Sequence, residues 1–393
     1  MIRIQAFKST TDFYRTDSSK AIRRLLQPVF SLLRSLGFLN LENSECFYPI
    51  GMFTLHAYLC YFFSWLFVHT EKNSLWYSFT LLEHCLASAS TIDMMWIRKS
   101  KLNDLLTMLS QVQTPNSIAS TKKWMKGSLI LIAVYGTSSV IIGYMLLSFY
   151  PLQVYYDIYF YGLRVEKWYN FLKYILPAVN IFTAQLMVFQ PIYFYIVLYS
   201  VLCRNIYTVV NDYNRGIKTV RIRNVSAVKL LQMQHFRLTV CVQQMDDLFS
   251  PVMFIWYSVT CVYVCNEISL LLDKGEDPFI NETFIAFTLF KLLPSVCFLL
   301  VLSLLAANVK EVFLCTVDCV RRLSLALPTR EEDCLLQVEL LQSQSIKLCP
   351  ALTIWNFVVV SRRLILACFS FFVTYTIIVL QLNPRATKKF RSG

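Results

Sequence analysis

Few side chains in this chain could carry out chemistry, and most of them stand alone. The four histidines, His56, His69, His84 and His235, are scattered. A zinc or di-iron site needs its ligands clustered at defined spacings. Thirteen cysteines are present, and most, such as Cys60, Cys85, Cys261, Cys265, Cys297 and Cys368, lie inside apolar runs. Cys261/Cys265 and Cys315/Cys319 are each four apart, but neither pair has a histidine or a second cysteine pair beside it. They read as core thiols and not as a metal centre. There is no nucleophile elbow, phosphate loop or HExxH helix. The pattern implies no enzyme, no cofactor and no metal. What remains are ionisable and amide groups set in apolar surroundings: Glu83, His84 and Asp93, then Glu267, Lys291 and finally Gln381. Such groups are costly in hydrocarbon and mark binding sites or conduction paths. The structural alternative is that Glu83, Glu267 and Lys291 pair with one another, and that Asp93 serves helix packing.

The elements that must hold these groups are membrane helices. Of 393 residues 56% are hydrophobic and 16% charged, well below the charge of a soluble domain. Nine glycines leave little scope for tight β-turns. The sequence predicts one all-α domain over residues 1–393, without internal repeats. The polar stretch Met1–Asp17 lacks the apolar core of a signal peptide. Residues 25–38 form a short amphipathic segment. Apolar runs long enough to cross a bilayer cover 49–68, 75–97, 127–149, 174–203, 249–272, 284–307 and 364–382. The fourth, with Pro177 and Pro191 inside, is longer than a bilayer needs and should tilt or kink. Between the crossings lie polar, helix-compatible segments: 98–112, ended by Pro115, then 204–244 and 331–346. The apolar stretch 351–360 is too short to cross.

Lysine and arginine set the direction. With the N-terminus inside, 27 of the 37 fall on the inner side and nine outside, four of these in the tail after residue 384. The expectation is a polytopic protein of seven transmembrane helices, with a cytoplasmic N-terminus and an extracellular C-terminus. Asn281-Glu282-Thr283, a glycosylation acceptor, then faces outward at Asn281. The net charge of +13 is mainly this inside bias and gives no reason to invoke nucleic acid. A G-protein-coupled receptor runs the other way up, and its motifs are missing: Asn383-Pro384 has no tyrosine at the fifth place.

The last crossing ends Thr374-Tyr375, five residues, then Gln381-Leu382. This resembles the close of the last helix in the insect gustatory receptors, in which TY and five hydrophobic residues precede Q and an aromatic. Leu382 stands where Phe is usual, and Thr376 where an apolar residue is usual. The inverted seven-span layout is similar to that of the same family. The resemblance implies a tastant-gated, non-selective cation channel in the plasma membrane of chemosensory neurons. Four subunits, of one kind or mixed with other gustatory receptor subunits, surround one pore. The final helix (364–382) lines it above a cytoplasmic helical anchor, here 204–244 and 331–360. The gate would comprise Gln381 and Leu382, with Ile378, Tyr375, Thr374 and Phe371 facing the pore at helical spacing. A leucine ring still closes by dewetting.

The resemblance also places the ligand within spans one to six, opening outward. The polar and aromatic residues of the outer halves are then Glu83, His84, Tyr144, Asn180, Gln185, Tyr263, Asn266, Glu267, Thr288 and Lys291. The sugar-sensing branch often carries an acid after TY. Thr376 leans away from sugars, toward bitter compounds or another contact cue. Alternatives are a pheromone- or odorant-type channel subunit, a transporter, and a metabotropic receptor.

Overall fold

The computed structural model describes residues 22–36, 38–39, 53–61, 64, 72–149, 170–184, 186, 189–220, 225–272, 278–326 and 332–382. Gln185 and the tail after Leu382 lie outside the described residues, as do the side chains of Asn281 and Lys291. The described chain is helical almost throughout. Its helices are α1 (22–35), α2 (53–61), α3 (Lys72–Ile97), α4 (Lys99–Val112), α5 (Pro115–Phe149), α6 (Asn170–Ala184), α7 (Gln190–Thr219), α8 (Val225–Leu272), α9 (Pro278–Ala326), α10 (Glu332–Lys347) and α11 (Arg362–Leu382). One short antiparallel pair, β1 (Thr353–Ile354) and β2 (Val358–Val359), precedes α11.

Among the described residues, α5, α7, α8, α9 and α11 are long and apolar enough to cross a membrane. The architecture is that of an all-α polytopic membrane protein. α7 is its axis: most of its residues are buried, packed between α5 and α9. Tyr195 near its start donates its hydroxyl to the Phe38 carbonyl at 3.0 Å. Asn205 Nδ2 reaches Thr121 Oγ1 on α5 at 3.2 Å.

Three boundaries differ from the sequence reading, each for a local reason. The long fourth crossing divides into two α-helices, α6 and α7, and the described residues between them, 186 and 189, are π-helical. Pro191 has no N–H for the carbonyl four residues back, and it biases the residue before it away from the helical region. Pro115 ends α4 as expected, yet it also opens α5, where a first-turn proline is tolerated. Thr114 caps that turn reciprocally: Ser117 N–H donates to Thr114 Oγ1, and Thr114 N–H to Ser117 Oγ, both at 3.1 Å.

The polar stretch 204–244 is not an independent piece. It is the inner end of α7 and the start of α8, parted at 221–224. α8 and α9 contain 48 and 49 residues, about 70 Å each at 1.5 Å per residue, so they run far past a ~30 Å hydrocarbon core. Their polar ends pack with α7 and α10 into a stalk. Asn214 Nδ2 donates to the Val312 carbonyl at 3.0 Å, and Gln232 Nε2 to that of Gln337 at 2.8 Å.

A further difference is the stretch 351–360, expected within the helical anchor. It is a hairpin. Pro350 precedes it, and Thr353, Ile354, Val358, Val359 and Val360 favour extended backbone. The turn is made without glycine: Trp355 and Asn356 have φ of 47° and 58°, left-handed values that bulky residues adopt at a cost. α8 offsets it. The Ser250 carbonyl accepts the Trp355 N–H at 3.0 Å, the Ser250 hydroxyl accepts that of Asn356 at 3.0 Å, and the Trp355 ring meets Phe254 edge-on at 5.1 Å.

Candidate ligand cavity and pore helix

A cavity of about 50 Å³ lies between α3, α7, α8 and α9. His84 and Ala87 come from α3, Phe189 and Tyr193 from the start of α7, Trp256 and Tyr257 from α8, and Ser295 and Phe298 from α9. Its lining is aromatic and carries no carboxylate, lysine or arginine. The rings hold one another in place. Tyr193 stacks on Phe298 at 4.9 Å and meets Tyr135 edge-on at 5.4 Å. His84 touches Phe189 and Tyr263, both at 4.9 Å. The polar tips are spoken for: Trp256 Nε1 donates to Thr91 Oγ1 at 3.1 Å, and Tyr257 shares a hydrogen bond with Ser303. A cavity this small holds a few waters. A ligand of ten heavy atoms fits only by turning some of these rings.

Of the residues singled out from sequence, His84 lines this cavity and Tyr263 packs on it. Asn266, Glu267 and Thr288 are buried on α8 and α9, and Glu267 lies beside Tyr263. Glu83 is half-buried, its Oε2 enclosed without a hydrogen-bond partner among the described residues. Asn180 is elsewhere, accepting from the Tyr58 hydroxyl across the α2–α6 contact. Tyr144 is exposed on α5 and stands apart from the cavity. Asp93 pairs with His56 at 3.7 Å, in keeping with a packing role. Phe189, Tyr193, Trp256, Tyr257 and Phe298 were not singled out. They are apolar or aromatic and carry no charge to mark them, though the spacings 189/193 and 256/260 place their residues on single helix faces.

α11 has a different character: none of its residues is buried within the chain. Phe371, Thr374, Ile378 and Gln381 are all exposed, and steps of three, four and three put them in one stripe. Leu382, at the end, is 76% exposed. Tyr375 leaves this stripe. It is half-buried, and its hydroxyl bonds that of Ser269 on α8 at 2.8 Å. One level lower, the thiols of Cys368 and Cys261 lie beside each other. Both contacts advance together in sequence, so α8 and α11 run parallel.

Among the described residues no group of three or more His, Cys, Asp or Glu is placed to hold a metal. No protein-family model matches the chain, and no curated protein does. Solved structures do. The insect olfactory receptor OR5 from Machilis hrabei superposes with a TM-score of 0.74 at 15% identity, covering 93% of this chain and 100% of that one. The same receptor in complex with eugenol gives 0.65 at 14%, over the same shares. At this identity the likeness is one of fold: the chain has the architecture of an insect olfactory receptor.

Proposed function

We propose that the chain is a subunit of a ligand-gated, non-selective cation channel of the insect gustatory and odorant receptor type. It works in the plasma membrane of a chemosensory neuron, with its N-terminus in the cytoplasm. The observation that carries the reading is the bareness of α11. A membrane helix with a polar stripe of Thr374 and Gln381 and no buried residue is satisfied when four copies face one another around water. The stripe Phe371, Thr374, Ile378 and Gln381 lines the conduit, and Gln381 with Leu382 forms its outer constriction. Tyr375 tethers α11 to its own subunit.

The ligand binds in the aromatic cavity, with Glu83, His84, Tyr263, Asn266, Glu267 and Thr288 at its outer side, and with Gln185 and Lys291 as further contacts. The olfactory receptor that shares this fold takes eugenol, a small neutral aromatic, and a lining of Phe, Tyr and Trp favours the same kind of molecule. A sugar carries many hydroxyls, and this lining has few free partners for them. The cue is therefore a bitter compound or another non-sugar. The fold match to an olfactory receptor supports a second reading, in which the cue is volatile and not tasted.

The test is recording in cells expressing the chain, alone or with a co-receptor subunit, while sugars, bitter compounds, neutral aromatics and cuticular lipids are applied. A cation current evoked by a neutral compound, with basal flux or selectivity changed by Gln381→Ala, is expected. A conductance that Gln381→Ala leaves untouched, or an N-terminal tag accessible from outside, would overturn the reading.

A further inference from the structure

The hairpin 353–359 occupies a commanding position. Its base is fixed in the core by Leu352, Ile354 and Val360, which are buried, and Val360 N–H closes it on the Leu352 carbonyl at 2.9 Å. Two residues further on, α11 begins. A tilt of the hairpin therefore becomes a tilt of the helix that bears Gln381.

The hairpin's other attachment is a line of side chains on α8. Asp246, Ser250 and Phe254 are four apart and share one face. The Asp246 carboxylate accepts the Thr353 N–H at 2.5 Å and the Thr353 hydroxyl at 2.9 Å. With that proton committed, the Ser250 hydroxyl donates to Thr353 Oγ1 at 3.0 Å while accepting the Asn356 N–H at 3.0 Å. A proton-ordered chain thus runs Ser250, Thr353, Asp246, and each member is in place only when the hairpin is docked. The docking site straddles Pro251, where α8 lacks a helical hydrogen bond. Ten residues beyond Ser250, α8 reaches Thr260 on the cavity wall, after Trp256 and Tyr257. One helix thus carries the cavity wall, a proline-interrupted turn and the hairpin dock within about 20 Å.

We propose that this hairpin couples the cavity to the pore, with Asp246, Ser250 and Thr353 as positioning residues that hold α11 in its closed setting. The inference rests on the channel reading above. The two arrangements are a docked hairpin, seen here beside a cavity too small for a ligand, and a released one. A ligand that pushes Trp256 and Tyr257 aside bends α8 at Pro251 and strains the dock. Removing the dock shifts the balance toward the open state without touching the cavity.

Basal current per channel at the cell surface tests this, with Thr353→Val, which keeps the size and the backbone donor, and Ser250→Ala as a milder second variant. Thr114→Val is the control: Thr114 Oγ1 donates to Asp212 Oδ2 at 2.5 Å, a like bond from the cap of α5 to α7 that involves no residue of the hairpin. Both dock variants should raise basal current, Thr353→Val on the order of tenfold, in line with the loss of one or two hydrogen bonds to a charged group. Thr114→Val should not. An unchanged current in both dock variants, or an equal rise in Thr114→Val, overturns the coupling and leaves the channel reading standing. No current from the parent, the dock variants or Gln381→Ala at normal surface levels overturns both.

Discussion

The Arg98 guanidinium donates to the backbone carbonyl of Asp247, the acceptor whose helical partner would be the N–H that Pro251 lacks. The Leu248 carbonyl lies within 3.5 Å of the same nitrogen. Thus the corner between α3 and α4 covers from one side the turn that the hairpin covers from the other. Arg98→Ala should cost about 1–3 kcal/mol, the price of an unsatisfied acceptor. Pro251→Ala restores the missing donor, so Arg98→Ala should cost less in that background. Thermal unfolding of the four proteins in detergent gives the cycle, and equal costs in both backgrounds would refute the account.

The Tyr375–Ser269 bond makes a narrower prediction. Tyr375→Phe and Ser269→Ala each remove one hydroxyl, worth about 0.6 kcal/mol inside a membrane. Each should shift the concentration of an identified agonist needed for half activation by roughly threefold, with the double variant no worse than either single. Additive shifts would mean that the two hydroxyls act separately.

Filling the cavity should silence the ligand and spare the pore. Ala87 is on the cavity wall and buried. Ala87→Leu adds three carbons, roughly 80 Å³, to a space smaller than that. The evoked current should be lost while basal current per surface channel is kept. Loss of both would place Ala87 in general packing.

His235 supplies a pH dependence. It is buried in the polar half of α8, below the apolar run that begins at Phe249, between the rings of Tyr213 and Phe313. Neither ring nitrogen has a hydrogen-bond partner among the described residues, and burial pulls its pKa from 6.5 down to about 4. The folded form binds the proton less well than the unfolded chain, so its contribution is complete above pH 6.5 and is lost as pH falls toward 4. The loss reaches about 3 kcal/mol per subunit. Comparing acid unfolding of the parent with that of His235→Phe isolates this part from the carboxylates. Identical pH profiles would show that His235 does not titrate in the stalk.

How legible was this in the sequence? Helix existence and the polar stalk followed from apolar runs and their gaps. The π-helical turns between α6 and α7 are half visible in the sequence, since Pro191 announces strain there but not the form it takes. The hairpin was hidden. Its turn places Trp355 and Asn356 where glycine is expected, and only the acceptors of Ser250, more than a hundred residues away, make that tolerable. The cavity was hidden for another reason: aromatic residues on helix faces look the same whether they meet a neighbour or a space. Helical spacing alone does not distinguish Tyr375 from Thr374 as a residue facing the pore. Its bond to Ser269 separates the two.

An amide displayed on a helix with no cover has a meaning before any ligand arrives. On the channel reading, a newly made subunit alone in its membrane would present the Gln381 amide to lipid, a mismatch that sister chains around it would remove. The groups that would admit ions in the finished assembly are then also the ones that would make a lone chain costly to leave in the bilayer.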